Sequence, residues 1–169
     1  MTRIASVLCL LLSALCLAGC SHYRLGTGSK PPYRLIYVAP IENTTMLPQA
    51  REILTTQLRS AFARDGRLAL ANSESEAQVT LSVKIHDFRR EIAAARADDT
   101  GLARKFNLVL SGTVTLRDRA GTTYFEGRPV AATREAFTDD GQLQSEYQTI
   151  PLLAEAFATK ALHATLDVW

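Results

Sequence analysis

Cysteine is scarce in this chain and is confined to its first twenty residues. The three cysteines are Cys9, Cys16 and Cys20, so no pair remains beyond residue 20 to form a disulfide. A domain that follows must be held together by its hydrophobic core. A domain of about 150 residues can bury about two-thirds of its surface. We therefore expect a single domain without a disulfide framework.

An excess of positive charge is also absent. Lys and Arg number 19 and Asp and Glu number 17, and removal of Arg3 with an N-terminal leader would bring the two closer still. Bulk binding to nucleic acid depends on a surplus of cations that neutralise phosphates. We therefore expect no nucleic-acid partner.

Motifs for catalysis and for metal binding are missing as well. His22, His86 and His163 are too far apart in the sequence to form a metal-binding motif. No Gly-x-Ser-x-Gly elbow occurs, and the glycines of residues 26–28 lack the third glycine of a dinucleotide loop. The paired aspartates at 98–99 and 139–140 are typical of turns. We expect no metal, no cofactor and no enzymatic activity, although only the absence of a site argues against a hydrolase.

The N-terminus has the layout of a bacterial lipoprotein signal. Arg3 is followed by an uncharged, mostly apolar run that ends in Leu-Ala-Gly before Cys20, and the run is too short to span a bilayer. This ending resembles the lipobox, in which the cysteine thiol receives a diacylglycerol and the new N-terminus is acylated. The alternative is a secreted protein with a free thiol at Cys20, which would be a hazard in an oxidising compartment. We predict lipid attachment, including a palmitate-type chain, at Cys20.

Three segments are predicted from this start. Residues 1–19 form the signal peptide, residues 20–33 form a lipidated tether rich in Gly and Pro, and residues 34–169 form one periplasmic domain. Ser21 follows the lipidated cysteine where an Asp usually retains proteobacterial lipoproteins in the inner membrane. This resemblance implies a protein anchored in the outer membrane and facing the periplasm.

Hydrophobic periodicity predicts the strands and helices of the domain. Residues 34–39 form a short apolar strand ended by Pro40, and residues 41–45 form a polar loop. Apolar residues alternate with polar ones in two long segments, which indicates an antiparallel sheet covered on one side. The apolar positions are Val79, Leu81, Val83 and Ile85 in the first segment and Phe106, Leu108, Leu110, Val114 and Leu116 in the second.

Turns and helices complete the predicted fold. Turns at 98–101 and 118–121 join the long strands to each other and to a third strand, which Pro129 makes an edge strand or a bulged one. Gly112 indicates a bulge or a close contact. One helix starts near Pro48 and ends at Asp65–Gly66, a short piece around 68–70 follows, and Pro151 opens a last helix after a polar, turn-rich stretch at 138–149. The predicted class is α+β, with two helices on one face of a four-stranded mixed sheet in the order β-α-β-β-β-α.

Basic residues are concentrated around the first hairpin turn, with apolar residues between them. One hypothesis is a solvated hairpin with ordinary surface charge. The other is a tip that binds an anionic amphiphile, because Arg binds phosphate groups through two parallel hydrogen bonds. The candidate lipopolysaccharide-binding residues are Arg89, Arg90, Arg96, Arg104 and Lys105.

Five segments, in order along the chain, resemble the LptE family of lipopolysaccharide-assembly lipoproteins. Residues 20–26, CSHYRLG, resemble its Cys-Gly-Tyr-x-Leu opening, and residues 36–45, IYVAPIENTT, resemble its I-x-V-P-x-F-x-N-x-T segment. Residues 51–58 and 62–68 are similar to its first helix and the end of that helix. Residues 75–79 are similar to the A-D-A-x-L start of its next strand. The chain departs from the pattern where Ser21 replaces Gly and Ile41 replaces Phe, as in a divergent member.

The resemblance implies a function without bond chemistry. LptE-family proteins have two helices against a four-stranded sheet, and they fill the lumen of the outer-membrane β-barrel LptD as a plug. They assist assembly of that barrel, bind lipopolysaccharide and support its insertion into the outer leaflet. The alternative is a periplasmic lipoprotein module that regulates a cell-wall synthase or forms a secretion assembly, because a strand like residues 38–45 followed by an L-x-x-x-L helix also occurs, more loosely, in such proteins.

Overall fold

The computed structural model describes residues 31–47, 49–95, 103–137 and 142–167. Six strands and two helices follow one another in the order β-β-α-β-β-β-β-α within these ranges. The strands are β1 (Leu35–Val38), β2 (Glu42–Asn43), β3 (Ala69–Leu70), β4 (Val79–Ala95), β5 (Ala103–Asp118) and β6 (Thr123–Phe137), and the helices are α1 (Ala50–Asp65) and α2 (Gln142–Leu166).

The strands form one mixed sheet, which confirms the predicted α+β class. The order is β3-β1-β4-β5-β6, with β2 also paired to β4. β1 runs parallel to β3 and β4, and β2 runs parallel to β4, whereas β4, β5 and β6 are antiparallel. The sheet has six strands and not the predicted four, because β2 and β3 contain two residues each and are too short to show alternation. β2 lies within the stretch that was predicted as a loop.

The two long strands are built as their alternation predicts. All four predicted apolar positions of β4 are buried, and in β5 Leu108, Leu110, Val114 and Leu116 are buried while Phe106 is partly buried. The pairing register shifts between Ile85 and Asp87, next to Gly112. A Cβ at Gly112 would lie 2.5 Å from the Lys84 carbonyl oxygen and 3.1 Å from Phe157 Cζ. Gly112 therefore marks both a bulge and a close contact, as predicted.

Helix α1 uses an apolar stripe to cover the short-strand side of the sheet. Its buried residues are Ala50, Leu54, Leu58, Ala61 and Phe62, spaced three or four residues apart as one helix face requires. The helix ends at Gly66, whose φ of 74° is left-handed and whose amide donates to the Phe62 carbonyl oxygen. This confirms the predicted end. Pro48 lies outside the described residues.

Helix α2 is longer than the sequence pattern predicted. Pro151 lies inside the helix, nine residues after its start at Gln142, so the prediction that Pro151 opens it is wrong. An interior proline costs about 3 kcal/mol relative to alanine. Burial of Glu146 and Thr149 and partial burial of Ile150 hold the preceding turns in place against that cost.

One hydrophobic core joins the sheet to both helices. Side chains of the inward sheet face, of α1 and of α2 form a single buried cluster that includes Ile36, Leu58, Leu81, Leu110 and Phe157. Both helices therefore cover the same sheet face, as predicted. Among the described helices, none has the length and apolar composition needed to cross a membrane.

The other sheet face is polar and its charges are paired within the chain. Hydroxyl side chains such as Thr80, Ser82 and Thr113 lie between ion pairs on this face. Lys84 Nζ lies 2.7 Å from Glu42 Oε1, and Arg117 Nη2 lies 2.8 Å from Glu126 Oε1. β6 ends the sheet among the described residues, so Pro129 lies on an edge strand as predicted.

Candidate functional site

The predicted basic residues are only partly within the described structure. Arg89 and Arg90 are on β4, and Arg104 and Lys105 are on β5. Cys20 and Arg96 lie outside the described residues, as do the predicted turn at 98–101 and residues 138–141. The structure describes the hairpin of the predicted basic tip up to Ala95 and from Ala103 onward.

Arg89 is exposed and is neutralised by its own strand. Its Nε donates to Glu91 Oε1 at 2.8 Å, and its Nη1 forms a short ion pair with Asp87. The hydrogen bond to Glu91, followed by the one to Asp87, raises the pKa of Arg89. Arg89 thus provides a cation whose field is largely cancelled until an anion competes with these two carboxylates.

Arg90 ties the hairpin to helix α2. Its Nε lies 2.7 Å from Glu146 Oε1, and Glu146 is only 6 % exposed. A buried carboxylate is costly unless a cation and hydrogen bonds compensate it. The pair therefore fixes the first turns of α2 against β4.

Lys105, on the neighbouring strand β5, is also paired with a carboxylate. Its Nζ lies 2.5 Å from Glu135 Oε1 and 5.6 Å from the centre of the Phe137 ring. An ammonium within about 6 Å of a ring is attracted by the π-electrons. Lys105 pairs in register with Ala94, four positions beyond Arg90 along β4, so it does not join Arg89 and Arg90 in one cluster.

Arg89 and Arg90 line an open groove of about 690 Å³ between β4, the loop after β2 and the start of α2. The remaining lining residues are Met46, Leu47, Phe88, Glu146, Tyr147 and Ile150. Met46 is 97 % exposed and Tyr147 is 67 % exposed, so two large apolar side chains project at the rim. Adjacent exposed apolar groups are typical of binding surfaces.

The backbone is strained beside this groove. Gln49 has a φ of 54° and makes no side-chain cap to α1, and it is the one non-glycine residue with positive φ in the described ranges. Such conformations cost about 1–3 kcal/mol and cluster at functional sites. The strain turns the chain sharply between the Met46 loop and the first turn of α1.

Glu146, Tyr147 and Met46 were not identified from the sequence. Residues 138–149 were predicted as a polar connection, so the acidic partner of Arg90 was overlooked. One signal was available: Glu146, Ile150, Leu153 and Phe157 follow the helical spacing of α2 upstream through Pro151. Met46 has no periodicity that would have separated it from a loop.

The described histidines do not combine with other ligands. His86 is exposed on the polar sheet face, and His163 Nδ1 lies 2.5 Å from Asp167 Oδ2. Within the described ranges, no group of three or more His, Cys, Asp or Glu side chains is arranged around a common point. The absence of catalysis stays a prediction.

These features define a small two-layer α+β domain with a polar sheet face and an apolar groove that contains arginines. Structures with this fold include a minor lipoprotein from Acinetobacter baumannii, with 18 % identity over 79 % of this chain and 93 % of that one and a TM-score of 0.51. Rare lipoprotein B from Shewanella oneidensis has 10 % identity over 78 % and 93 % of the two chains and a TM-score of 0.52. A variant of the PelC dodecamer from Paraburkholderia phytofirmans has 17 % identity over 82 % and 94 % and a TM-score of 0.50. At these identities the likeness establishes the fold alone.

The family is established by sequence. The family model described as LptE, lipopolysaccharide-assembly, matches residues 33–162, which is well over half of the chain. The chain belongs to the LptE family. No curated protein sequence matches it.

Proposed function

We propose that this chain is an outer-membrane lipoprotein, anchored through Cys20, that assists the transport and insertion of lipopolysaccharide. It acts as the plug and assembly partner of the LptD β-barrel and catalyses no bond chemistry. The observation that carries the proposal is the family match, which runs from residue 33 to residue 162 and so includes every described strand, helix α1 and most of α2.

The polar sheet face supports the role of plug. The lumen of an outer-membrane barrel is polar and filled with water, and a plug needs a surface that forms hydrogen bonds without a large net charge. Hydroxyl groups and internally paired ions on the outer face meet that need. An apolar outer face would have contradicted it.

The groove supports contact with an amphiphile. Arg90 provides donors for phosphate oxygens, while Met46, Phe88 and Tyr147 provide apolar surface next to it. A phosphorylated glycolipid carries both kinds of group. Its phosphates would have to compete with Glu146 for Arg90 in the groove, and with Asp87 and Glu91 for Arg89 on the outer sheet face.

Co-purification tests the proposal. The lipidated full-length protein, tagged at its C-terminus, is isolated from its own envelope in a mild neutral detergent, and the partner is identified by mass spectrometry. We expect LptD in stoichiometric amount. Recovery of a cell-wall synthase or a secretion complex in place of LptD would support the alternative function and contradict this one.

A further inference from the structure

Strand β6 forms the outer edge of the sheet among the described residues, and its two halves differ in how that edge is protected. Residues of β6 pair with β5 in continuous register from Pro129 opposite Thr113 to Phe137 opposite Lys105. In an antiparallel pair, the N–H and C=O groups of one residue both point toward the partner strand, and those of the next residue both point away from it. The residues that point away therefore share one parity along this stretch.

One contact identifies that parity, and together with a proline it protects the first half of the edge. Lys160 Nζ reaches over from α2 and donates to the Ala131 carbonyl oxygen at 2.7 Å, so the odd-numbered residues present their backbone outward. Pro129 has the same parity and has no amide hydrogen to present. A lysine and a proline at such positions prevent the addition of another strand.

The second half of the edge lacks such protection in the described structure. Thr133, Glu135 and Phe137 have the outward parity, and each has both a backbone donor and an acceptor. Phe137 is 52 % exposed, and Leu152 of α2 is 53 % exposed. Arg134 Nε, which donates to the Leu152 carbonyl oxygen at 3.4 Å, places α2 beside this segment.

The free edge of β4 on the other side of the sheet is a poorer template. Its register with β5 shifts three times, between Ile85 and Asp87, between Ile92 and Ala94, and between Ala94 and Ala95. Bulges twist an edge away from a regular partner. The distal half of β6 has no such shift.

We propose that residues Thr133–Phe137 of β6 pair with an extended segment of another chain, which adds a strand to the sheet. Resting on the proposed function, we assign that segment to the barrel partner LptD. Three outward residues with their donors and acceptors recognise a peptide backbone. Exposed Leu152 favours a segment with apolar side chains on its α2 side and polar ones toward Thr133 and Glu135.

A second copy of this chain fits the edge less well. Two β6 edges related by a twofold axis would overlap best around residue 135, which places Glu135 opposite its own copy. Like charges directly opposite across two strands are destabilising. The charge therefore favours a different chain as the partner.

Amide hydrogen exchange on wild-type protein tests the pairing without any substitution. The lipidated full-length chain is measured alone and as the complex co-purified with tagged LptD. We expect exchange at Thr133, Glu135 and Phe137 to slow by at least tenfold in the complex. A complex in which these amides exchange as fast as in the free chain would overturn the pairing and leave the plug function intact, whereas failure to form any complex would overturn both.

A matched pair of variants provides the second measurement. Thr133→Pro removes one outward amide donor, and Thr133→Ala changes the side chain but keeps that donor. We expect the proline variant to bind LptD at least tenfold more weakly than the alanine variant, with unfolding midpoints of the two free variants checked in parallel. Equal affinities, protection of these amides already in the free chain, or a dimer of the free chain held through this edge would each overturn the inference.

Discussion

At the residue scale, Gly112 has no side chain, and this allows β5 to approach both β4 and helix α2 closely. A Cβ there would lie 2.5 Å from the Lys84 carbonyl oxygen, 3.1 Å from Phe157 Cζ and 3.2 Å from Ile85 Cγ2. The first of these contacts is with backbone of the neighbouring strand, so side-chain rotation cannot relieve it. The close approach of β5, β4 and α2 therefore depends on glycine at this position.

We expect Gly112→Ala to destabilise the protein by about 1–3 kcal/mol, the usual cost of excess volume in a packed core. Chemical denaturation of the mature domain measures this difference. Ser111→Ala, one residue earlier on the same strand, is the control and should change stability by less than about 0.5 kcal/mol. Equal effects of the two substitutions would show that close contact with Lys84 and Phe157 does not determine the loss of stability.

Arg67 joins the ends of the two helices through two carboxylates. Its Nε lies 2.7 Å from Asp65 Oδ1, and its Nη1 lies 2.8 Å from Asp167 Oδ1. The hydrogen bond from Arg67 lowers the pKa of Asp65. Burial acts to raise the pKa of Asp167, but hydrogen bonds from Arg67 and His163 outweigh it, so that this pKa is lowered too.

These lowered pKa values predict a loss of stability in acid. A carboxylate whose pKa is lower in the folded than in the unfolded protein contributes fully above its unfolded value, about 3.9 for Asp. The contribution disappears as the pH falls through the folded value. We expect Arg67→Gln to cost about 1–2 kcal/mol at pH 7 and to flatten the decline in unfolding free energy below about pH 4. The control, Arg51→Gln at an exposed position of α1, should change neither the stability at pH 7 nor its decline in acid. A pH profile of Arg67→Gln parallel to that of the wild type would contradict the mechanism.

At the element scale, helix α2 continues through Pro151. The proline lacks the amide that would donate to the Tyr147 carbonyl oxygen, four residues earlier. We expect Pro151→Ala to stabilise the domain by about 1–2 kcal/mol, which is less than the full helix-interior penalty because proline also restricts the unfolded chain. Thermal unfolding measures the gain, with Gln148→Ala on the same exposed turn as control. A loss of stability would mean that Pro151 is required where the helix passes beside Tyr147 and Gln49.

The β4–β5 hairpin is the element that should contact the anionic amphiphile. We expect the double change Arg89→Gln and Arg104→Gln to weaken binding to purified lipopolysaccharide about tenfold and to reduce the dependence of binding on salt. Arg90 is kept because Glu146 and α2 depend on it. The control pair is Arg51→Gln and Arg119→Gln, which removes the same charge far from the tip of the hairpin. Equal binding by the wild type and the hairpin variant at moderate salt would contradict lipid binding by these arginines and support the solvated-hairpin hypothesis.

Elements that bury one face could be predicted from sequence, whereas short elements could not. Alternation across 79–85 and 106–116 follows directly from a sheet covered on one side, and the α1 stripe ends where Gly66 allows a left-handed turn. β2 and β3 have two residues each and are held by neighbouring strands, so no local pattern marks them. The start of α2 was missed because Glu146 is polar and becomes buried only through its distant partner Arg90.

At the scale of the whole molecule, the parallel pairings determine the order of strands in the sheet, and no local sequence pattern predicts them. β1 pairs with β4 through Ile36 and Val79, which are more than forty residues apart in the sequence. The candidate groove has the same origin, since Met46, Arg90 and Tyr147 come from three separate segments. The basic residues were predicted, but their acidic partners and the apolar rim required the fold.

The predicted anchor at Cys20 is the feature that would hold the domain at a membrane. A single acyl chain holds a protein only reversibly, but each buried CH₂ contributes about 0.8 kcal/mol, and several chains together make attachment stable. We expect the mature protein to begin at Cys20, to carry acyl groups by mass spectrometry, and to fractionate with the outer membrane. Cys20→Ala should remove the acyl mass and leave the domain's unfolding transition unchanged, because Cys20 precedes every residue of the described core. A mature wild-type protein with a free thiol in the soluble fraction would contradict the anchor, and the role as a barrel plug would then lose its means of attachment.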